Sequence, residues 1–479
     1  MSDYVSPGLF ERLGTLWRDL VPPREERIAE TLRPDLPEDD LKRVRRQMDA
    51  CLEGKGGDVS ARTRAAQLGN AYISLDATGK ERFLRLMATG YDTDHDGIER
   101  AVERRRVAAD AEARAAAERA LRKALEAPRR TLLKQFNALP DGVKFLVDMR
   151  AELMGLVKRH PDLAGLENDL KYILMNWFDV GFLDLRRITW DSPASILEKI
   201  IAYEAVHAIR SWEDLKNRLD SDRRLYAFFH PRMPDEPLIF VQVALINGMA
   251  DSIQSLLDVA APVGNPETAD TAIFYSISNA QRGLDGISFG NFLIKRVAET
   301  LSQEFPNLKT FATLSPLPTF AKWLEARLAE GEPGLLSAAE HKALTQLARS
   351  RGDKVAGAKG VLKALLESPE WWCDDTLRDA LKAPMLRLAA RYLAVEKRPP
   401  RDGGRPTALD PVAHFHLSNG ARIERLNWLG DVSDKGLRQS AGVMVNYLYK
   451  LHDIERNHET YSELGKAVLS TAMRAQLKD

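Results

Sequence analysis

The feature that most limits what this chain can fold into is a change of hydrophobic period near residue 190. Up to about residue 180 the apolar residues recur three and four apart, in stretches such as ERFLRLMATGY and KFLVDMRAELMGLVKRH, which is the stripe of an amphipathic helix. Beyond it come short runs rich in β-branched and aromatic residues, bounded by Pro and Gly: LIFVQVALI after HPRMPDEP, TAIFYSIS from Thr271 to Ser278, and KTFATLS. Helical patterns alternate with these runs, in NFLIKRVAETLSQEF and in FAKWLEARLAEG after Thr319. A chain with both periods is neither one helical bundle nor one β-sandwich. The expectation is an α+β multidomain protein, with an all-α amino-terminal helical bundle over 1–185 and a mixed α/β domain over 186–479. Its 479 residues agree, since about 150 residues make a domain.

Finer features follow from the same reading. The Ala-, Glu- and Arg-rich segment from Ile98 to Phe136 has high helix propensity, and its run Arg104 to Arg106 reads as a solvated face because acids interleave with it. Leu121, Leu125, Leu132 and Leu133 are expected to pack on a neighbouring helix. In the second half, TWDSPASILEKIIAYEAVHAI reads as a capped helix, and a helical stretch runs from Leu335 to Lys397. After a Pro/Gly-rich loop, AHFHLSNGARIERLNWL alternates around Asn419-Gly420, which predicts a hairpin with a strand from Ala413 to Leu417. Strands are also expected at Ile239 to Leu245 and Ile273 to Ser278, and a last helical segment from about Ser433 to the end.

Composition excludes several classes. The 69 basic and 69 acidic side chains cancel, which removes any global electrostatic drive toward nucleic acid or an anionic membrane. No apolar run approaches the length of a membrane span, and the amino terminus lacks the pattern of a secretory signal. Two cysteines, Cys51 and Cys373, cannot form a disulfide framework or a four-cysteine zinc site, so a reducing compartment is expected, the cytoplasm by default.

Four constellations invite chemistry. DTDHDGIERAVE, from Asp92 to Glu103, fits the calcium-loop spacing, but Glu99 stands where that loop needs an apolar residue, and helix capping by the acids is the better reading. His414 and His416 would point the same way on a strand, yet no third metal ligand stands at a matching spacing. The YSIS segment lacks the Gly-x-Ser-x-Gly elbow of a serine hydrolase. The loop QRGLDGISFG, from Gln281 to Gly290, lies between a strand and a helix opening at Asn291, where free N–H groups can hold a diphosphate or simply make a turn. Lys295 and Arg296, one turn into that helix, suit either phosphate contacts or a solvated face.

Four separated phrases, TAIFYSISNAQRGLDGISFGNFLIKRV, FATLSPLPTFAKWL, DPVAHFHLSNGARIERLNWLGDVSDKG and VMVNYLY, occur in the order and at the spacings of the malonyl-CoA decarboxylase family, which the chain resembles throughout and most strongly from Trp190 onward. The resemblance implies an amino-terminal helical domain involved in oligomerisation, hence a homo-oligomer, and a GNAT-like mixed α/β catalytic domain. It also implies decarboxylation of malonyl-CoA to acetyl-CoA and carbon dioxide, with no cofactor beyond the coenzyme A of the substrate and no metal. The family's catalytic serine falls on Ser315, its histidine on His416 and its carboxy-terminal tyrosine on Tyr449. Ser276 matches another serine of the active-site region, and the pyrophosphate loop falls on Gly286, Ser288, Gly290 and Asn291. Animal members carry a glutamate in that loop where this chain has Ser288.

The residue types suit the reaction the resemblance implies. Loss of carbon dioxide leaves an enolate for which the thioester is the electron sink, and carbon must then be protonated. His416 is expected to be the proton donor and Ser315 to orient the malonyl carboxylate, while Tyr449 supports either the thioester oxygen or the histidine. Two other readings have distinct marks: a GNAT-type acyltransferase would need an added acceptor, and an acyl-CoA-sensing interaction protein would bind without turnover.

Overall fold

A computed structural model describes Trp17 and residues 28–477, apart from 54–56, 179, 288–292, 353–359 and 401–404. The chain divides into two compact units: residues 1–184 with 229–238 and 281–288, and residues 185–228, 239–280 and 289–479.

The first unit is helical. Asp76, Asp94 and Asp110 each open a helix by accepting the backbone N–H three residues on, at 2.9, 2.8 and 2.7 Å, caps worth about 1 kcal/mol apiece. The Asp94 cap begins a helix at His95–Arg106, inside the twelve residues that matched the calcium loop, so most of that stretch is helix rather than loop. Asp92 meets Arg129 at 2.8 Å. The Ala-rich segment is three helices, His95–Arg106, Ala111–Leu125 and Arg129–Asn137. Leu132 and Leu133 are buried as expected, but Leu125, in the last turn before Glu126 leaves the helix, is exposed. The core gathers Tyr72, Phe83, Phe136 and Phe145 edge to face or tilted. The Gly142–Val157 helix also fixes the start of the glycine-rich loop: buried Arg150 donates to the carbonyls of Gly283 at 2.6 Å and Asp285 at 3.0 Å. A Cβ at Gly283 would fall 1.8 Å from the Val147 carbonyl oxygen, so only glycine permits this approach.

The second unit is built on an eight-stranded mixed sheet. Its strands are β1 (Asp184–Ile188), β2 (Arg223–Phe229), β3 (Ile239–Ile246), β4 (Thr271–Asn279), β5 (Thr310–Thr313), β6 (Ser315–Pro316), β9 (Arg422–Asn427) and β10 (Met444–Tyr449); β7 (Lys397–Arg398) and β8 (Thr407–Ala408) pair separately. The order is β1-β2-β3-β4-β5-β10-β6, with β9 on the other edge of β10. β4 and β5 are parallel; their pairing ends at Phe274 opposite Thr313, while β4 runs on to Asn279. Ala312, Leu314, Met444 and Leu448 turn into an apolar core with Ile273 and Tyr275, which by strand alternation leaves Thr313, Ser315, Tyr447 and Tyr449 on the opposite face.

Three expectations are corrected. Ala413 to Leu417 is not a strand: Pro411–Ser418 is a helix, because Asp410 caps it through the N–H groups of Val412 and Ala413, both at 2.9 Å, and proline suits its first position. Asn419-Gly420 therefore closes a helix instead of turning a hairpin, with Gly420 at φ +80°. The carboxy-terminal stretch from Ser433 is not all helix, since β10 lies within it; MVNYLY is buried at every residue and so shows no alternation to mark it as a strand. The helix expected through Ile209 ends at Tyr203.

Candidate active site

The interruption between β5 and β6 builds the site. β10 keeps one register across it, Leu448 opposite Ala312 and Val445 opposite Ser315, so Tyr447 stands opposite Thr313. There the backbone ladder gives way to side chains: the Tyr447 N–H donates to Thr313 Oγ1 at 3.1 Å, and the Asn446 amide donates to the Thr313 carbonyl at 2.7 Å. Thr313 and Ser315, two apart on the extended chain, present their hydroxyls side by side at 2.8 Å.

The Pro411–Ser418 helix brings His416 onto this face. Its Nε2 lies 3.1 Å from Ser315 Oγ, and its Nδ1 lies 2.8 Å from the Tyr449 hydroxyl. The result is one row, Tyr449–His416–Ser315–Thr313, drawn from a helix and the three strands β10, β6 and β5, with each member at most 5% exposed. Tyr447 stacks on the imidazole. The helix itself is held by buried Asp410, which takes a 3.0 Å bond from the Tyr392 hydroxyl besides its two capping bonds. Burial pushes the His416 pKa down to about 3, so the imidazole is neutral at pH 7. Burial also raises Tyr449 well above the ordinary phenol value, keeping its proton on oxygen.

The other sequence candidates fall elsewhere. His414 faces away from His416, with its Nδ1 2.9 Å from the Tyr461 hydroxyl, because residues two apart on a helix diverge where those on a strand align. Ser276 is outside the row: its hydroxyl donates to both oxygens of Glu204 at 2.8 Å, and Glu204 also accepts the N–H groups of Val206 and His207 and the Gln242 amide. Gly286 is in a turn at φ +73°, with the Lys171 amine 3.6 Å from where its Cβ would be. Ser288, Gly290 and Asn291 lie outside the described residues. Lys295 pairs with Glu455 at 3.1 Å, and Arg296 lies over the Phe228 ring. Sequence reasoning missed Thr313, Tyr447 and Glu204. The first two were accessible, since they share strand parity with Ser315 and Tyr449, whereas nothing in IIAYEAVHAI marks Glu204.

A buried imidazole between two hydroxyls, backed by an aromatic face, is equipped to move a proton in a water-poor site, the equipment of an acid–base catalyst. A family model for the malonyl-CoA decarboxylase C-terminal domain matches residues 181–479, and one for the N-terminal domain matches 91–178. The chain is 39% identical over 401 residues to the mitochondrial malonyl-CoA decarboxylase of Rattus norvegicus, covering 81% of this chain and 79% of the relative. It is 38% identical over 417 residues to that of Anser anser anser, covering 84% and 80%. Among solved structures, the malonyl-CoA decarboxylase of Rhodopseudomonas palustris superposes with a TM-score of 0.81 at 42% identity, over 91% of this chain and 99% of that one. That of Agrobacterium vitis gives 0.79 at 40%, again over 91% and 99%. The chain belongs to the malonyl-CoA decarboxylase family.

Proposed function

We propose that this chain decarboxylates malonyl-CoA to acetyl-CoA and carbon dioxide, with His416 delivering the proton that completes the reaction. Family membership supports the reaction, and the placement of His416 between Ser315 and Tyr449 supports the roles. When the malonyl group arrives, the Ser315 hydroxyl turns from Thr313 to the substrate carboxylate and holds it out of the thioester plane, so that the breaking bond overlaps the carbonyl π system. The carboxylate's charge favours the imidazolium, and binding thereby draws a proton onto a ring that is neutral in the free protein. The C–COO⁻ bond then breaks, its electron pair enters the thioester as an enolate, and carbon dioxide leaves. The pair takes the Nε2 proton at carbon and the imidazole returns to neutral. One proton is consumed from solvent per turnover. Tyr449 stays protonated throughout and accepts from Nδ1–H while the ring is charged.

The thioester is the electron sink, so this scheme calls for no metal and no organic cofactor beyond the coenzyme A of malonyl-CoA and acetyl-CoA. The diphosphate of that group is assigned to the segment Gly286, Ser288, Gly290 and Asn291, by resemblance to the family's loop. Ser276 and Glu204 form a separate polar cluster and receive no step. A homo-oligomer built through the helical unit and a reducing, cytoplasmic setting complete the reading; Cys51 and Cys373 are free thiols, and no helix among the described residues is long and apolar enough to cross a membrane. The test is direct: the purified chain, given malonyl-CoA and no acceptor, releases acetyl-CoA and carbon dioxide in equal amounts. Binding without release, or turnover only on adding an amine or thiol, would reject the reading.

A further inference from the structure

The proton order along the row Tyr449–His416–Ser315–Thr313 has chemical consequences. A neutral imidazole accepts one hydrogen bond and donates one, so only two orders satisfy the row. Either Tyr449 donates to Nδ1 and Nε2–H donates to Ser315, or Ser315 donates to Nε2 and Nδ1–H donates to Tyr449. Only the first keeps the ring proton on the nitrogen that faces Ser315.

Both ends of the row favour that order. A phenol is a stronger donor than an aliphatic hydroxyl, so Tyr449 outcompetes Ser315 for the single lone pair the ring can offer. At the other end, Ser315 has an alternative acceptor in Thr313 Oγ1, 2.8 Å away, to which its hydroxyl donates. That oxygen cannot drift, because the Tyr447 N–H binds it at 3.1 Å at the point where the β5–β10 ladder is interrupted, and Thr313 is fully buried. Strand geometry, rather than a flexible side chain, holds the acceptor in place.

We infer that Thr313 is a positioning residue for the decarboxylation: it takes the hydrogen of Ser315 and so keeps Nε2 of the resting His416 protonated, so that the proton drawn in on substrate binding enters at Nδ1 and Nε2 already carries the one the enolate carbon will take. The inference rests on His416 being the proton donor. Thr313 touches no reacting atom and works entirely through Ser315. It takes up the serine hydrogen in the resting site and again once carbon dioxide has left and the carboxylate no longer accepts it. Without Thr313 Oγ1, the hydrogen of Ser315 has Nε2 as its nearest acceptor, the ring proton moves to Nδ1, and the proton drawn in on binding has to reach Nε2 past the Ser315 hydroxyl.

The test compares Thr313→Val, which keeps the shape and removes the acceptor, with Thr313→Ser, which restores a hydroxyl, in the full-length protein. With ¹⁵N-labelled histidine, the wild-type His416 signals, assigned by their loss in His416→Ala, should report the Nε2–H tautomer. Thr313→Val should report Nδ1–H, and Thr313→Ser should revert to Nε2–H. On malonyl-CoA, Thr313→Val should lose about tenfold in both kcat and kcat/KM, less than the roughly 10²-fold of the acid–base step itself because Thr313 acts only through Ser315, and Thr313→Ser should recover most of it. Adding Thr313→Val to His416→Ala should cost nothing further. A Thr313→Val protein with the wild-type tautomer, or one that is less stable yet has wild-type kcat per folded molecule, would overturn the inference while leaving His416 as donor. Near wild-type kcat in His416→Ala would overturn the donor assignment itself, whatever Thr313 does.

Discussion

Tyr447 lies almost flat on His416, with ring centroids 4.4 Å apart and planes 25° apart. Its hydroxyl is buried with no hydrogen-bond partner among the described residues, so what it offers the histidine is a π face. That face attracts a cation more than a neutral ring, and it partly offsets the burial that opposes charging His416.

Exchanging Tyr447 separates the two parts. Tyr447→Phe keeps the stack and removes an unpaired buried hydroxyl, so kcat should stay within a few-fold and stability should rise by about 1 kcal/mol in denaturant melts. Tyr447→Leu removes the stack and should lower kcat by about tenfold, since about 1–2 kcal/mol of imidazolium stabilisation is lost. Equal activity in the two variants would contradict a role for the π face.

Because His416 is neutral in the free protein and turnover consumes a proton, kcat/KM for malonyl-CoA should fall as pH rises, by about tenfold per unit between pH 6.5 and 8.5. The pH profile of kcat should be flatter, since it reports the ring beside the bound carboxylate. A kcat/KM that is level across this range would contradict proton uptake on binding.

The same shift acts on stability. The His416 pKa is depressed in the fold, so the unfolded chain binds the proton more tightly; the fold is unaffected above about pH 6.5 and weakens as pH falls toward 3. By pH 5 this group alone should cost about 2 kcal/mol. His416→Gln should show correspondingly less acid destabilisation between pH 7 and 5, and an unchanged acid sensitivity would contradict the burial argument.

Gly420 ends the helix that carries His416 in a left-handed conformation, where a Cβ would fall 2.2 Å from the Ile454 carbonyl oxygen. Backbone on one side and an unfavourable φ on the other leave no cheap relaxation. Gly420→Ala should therefore cost about 2 kcal/mol or more, measured by thermal or denaturant unfolding. A cost near zero would mean that the turn can be rebuilt.

Much of the architecture was legible in the sequence, because long amphipathic stripes and compact β-branched runs such as IFVQVALI announce themselves locally. The motif residues Ser315, His416 and Tyr449 were legible only through resemblance, since over a hundred positions separate the first two and spacing says nothing of such a meeting. The strand reading at Ala413 to Leu417 failed because two rules competed for one segment: alternation around Asn-Gly favoured a hairpin, while Asp410 and Pro411 favoured a helix start, and the buried carboxylate satisfying two N–H groups prevailed. β10 escaped notice because a strand buried on both faces has no period to read.

The central claim is that His416 gives the proton to carbon, and the steady-state kcat of His416→Ala on malonyl-CoA tests it most directly. The account predicts a loss of roughly 10²-fold or more with coenzyme A binding retained, and a Ser315→Ala/His416→Ala double variant that loses less than the product of the single losses, because both residues act on one transition state. A His416→Ala protein turning over malonyl-CoA at close to the wild-type rate would contradict it.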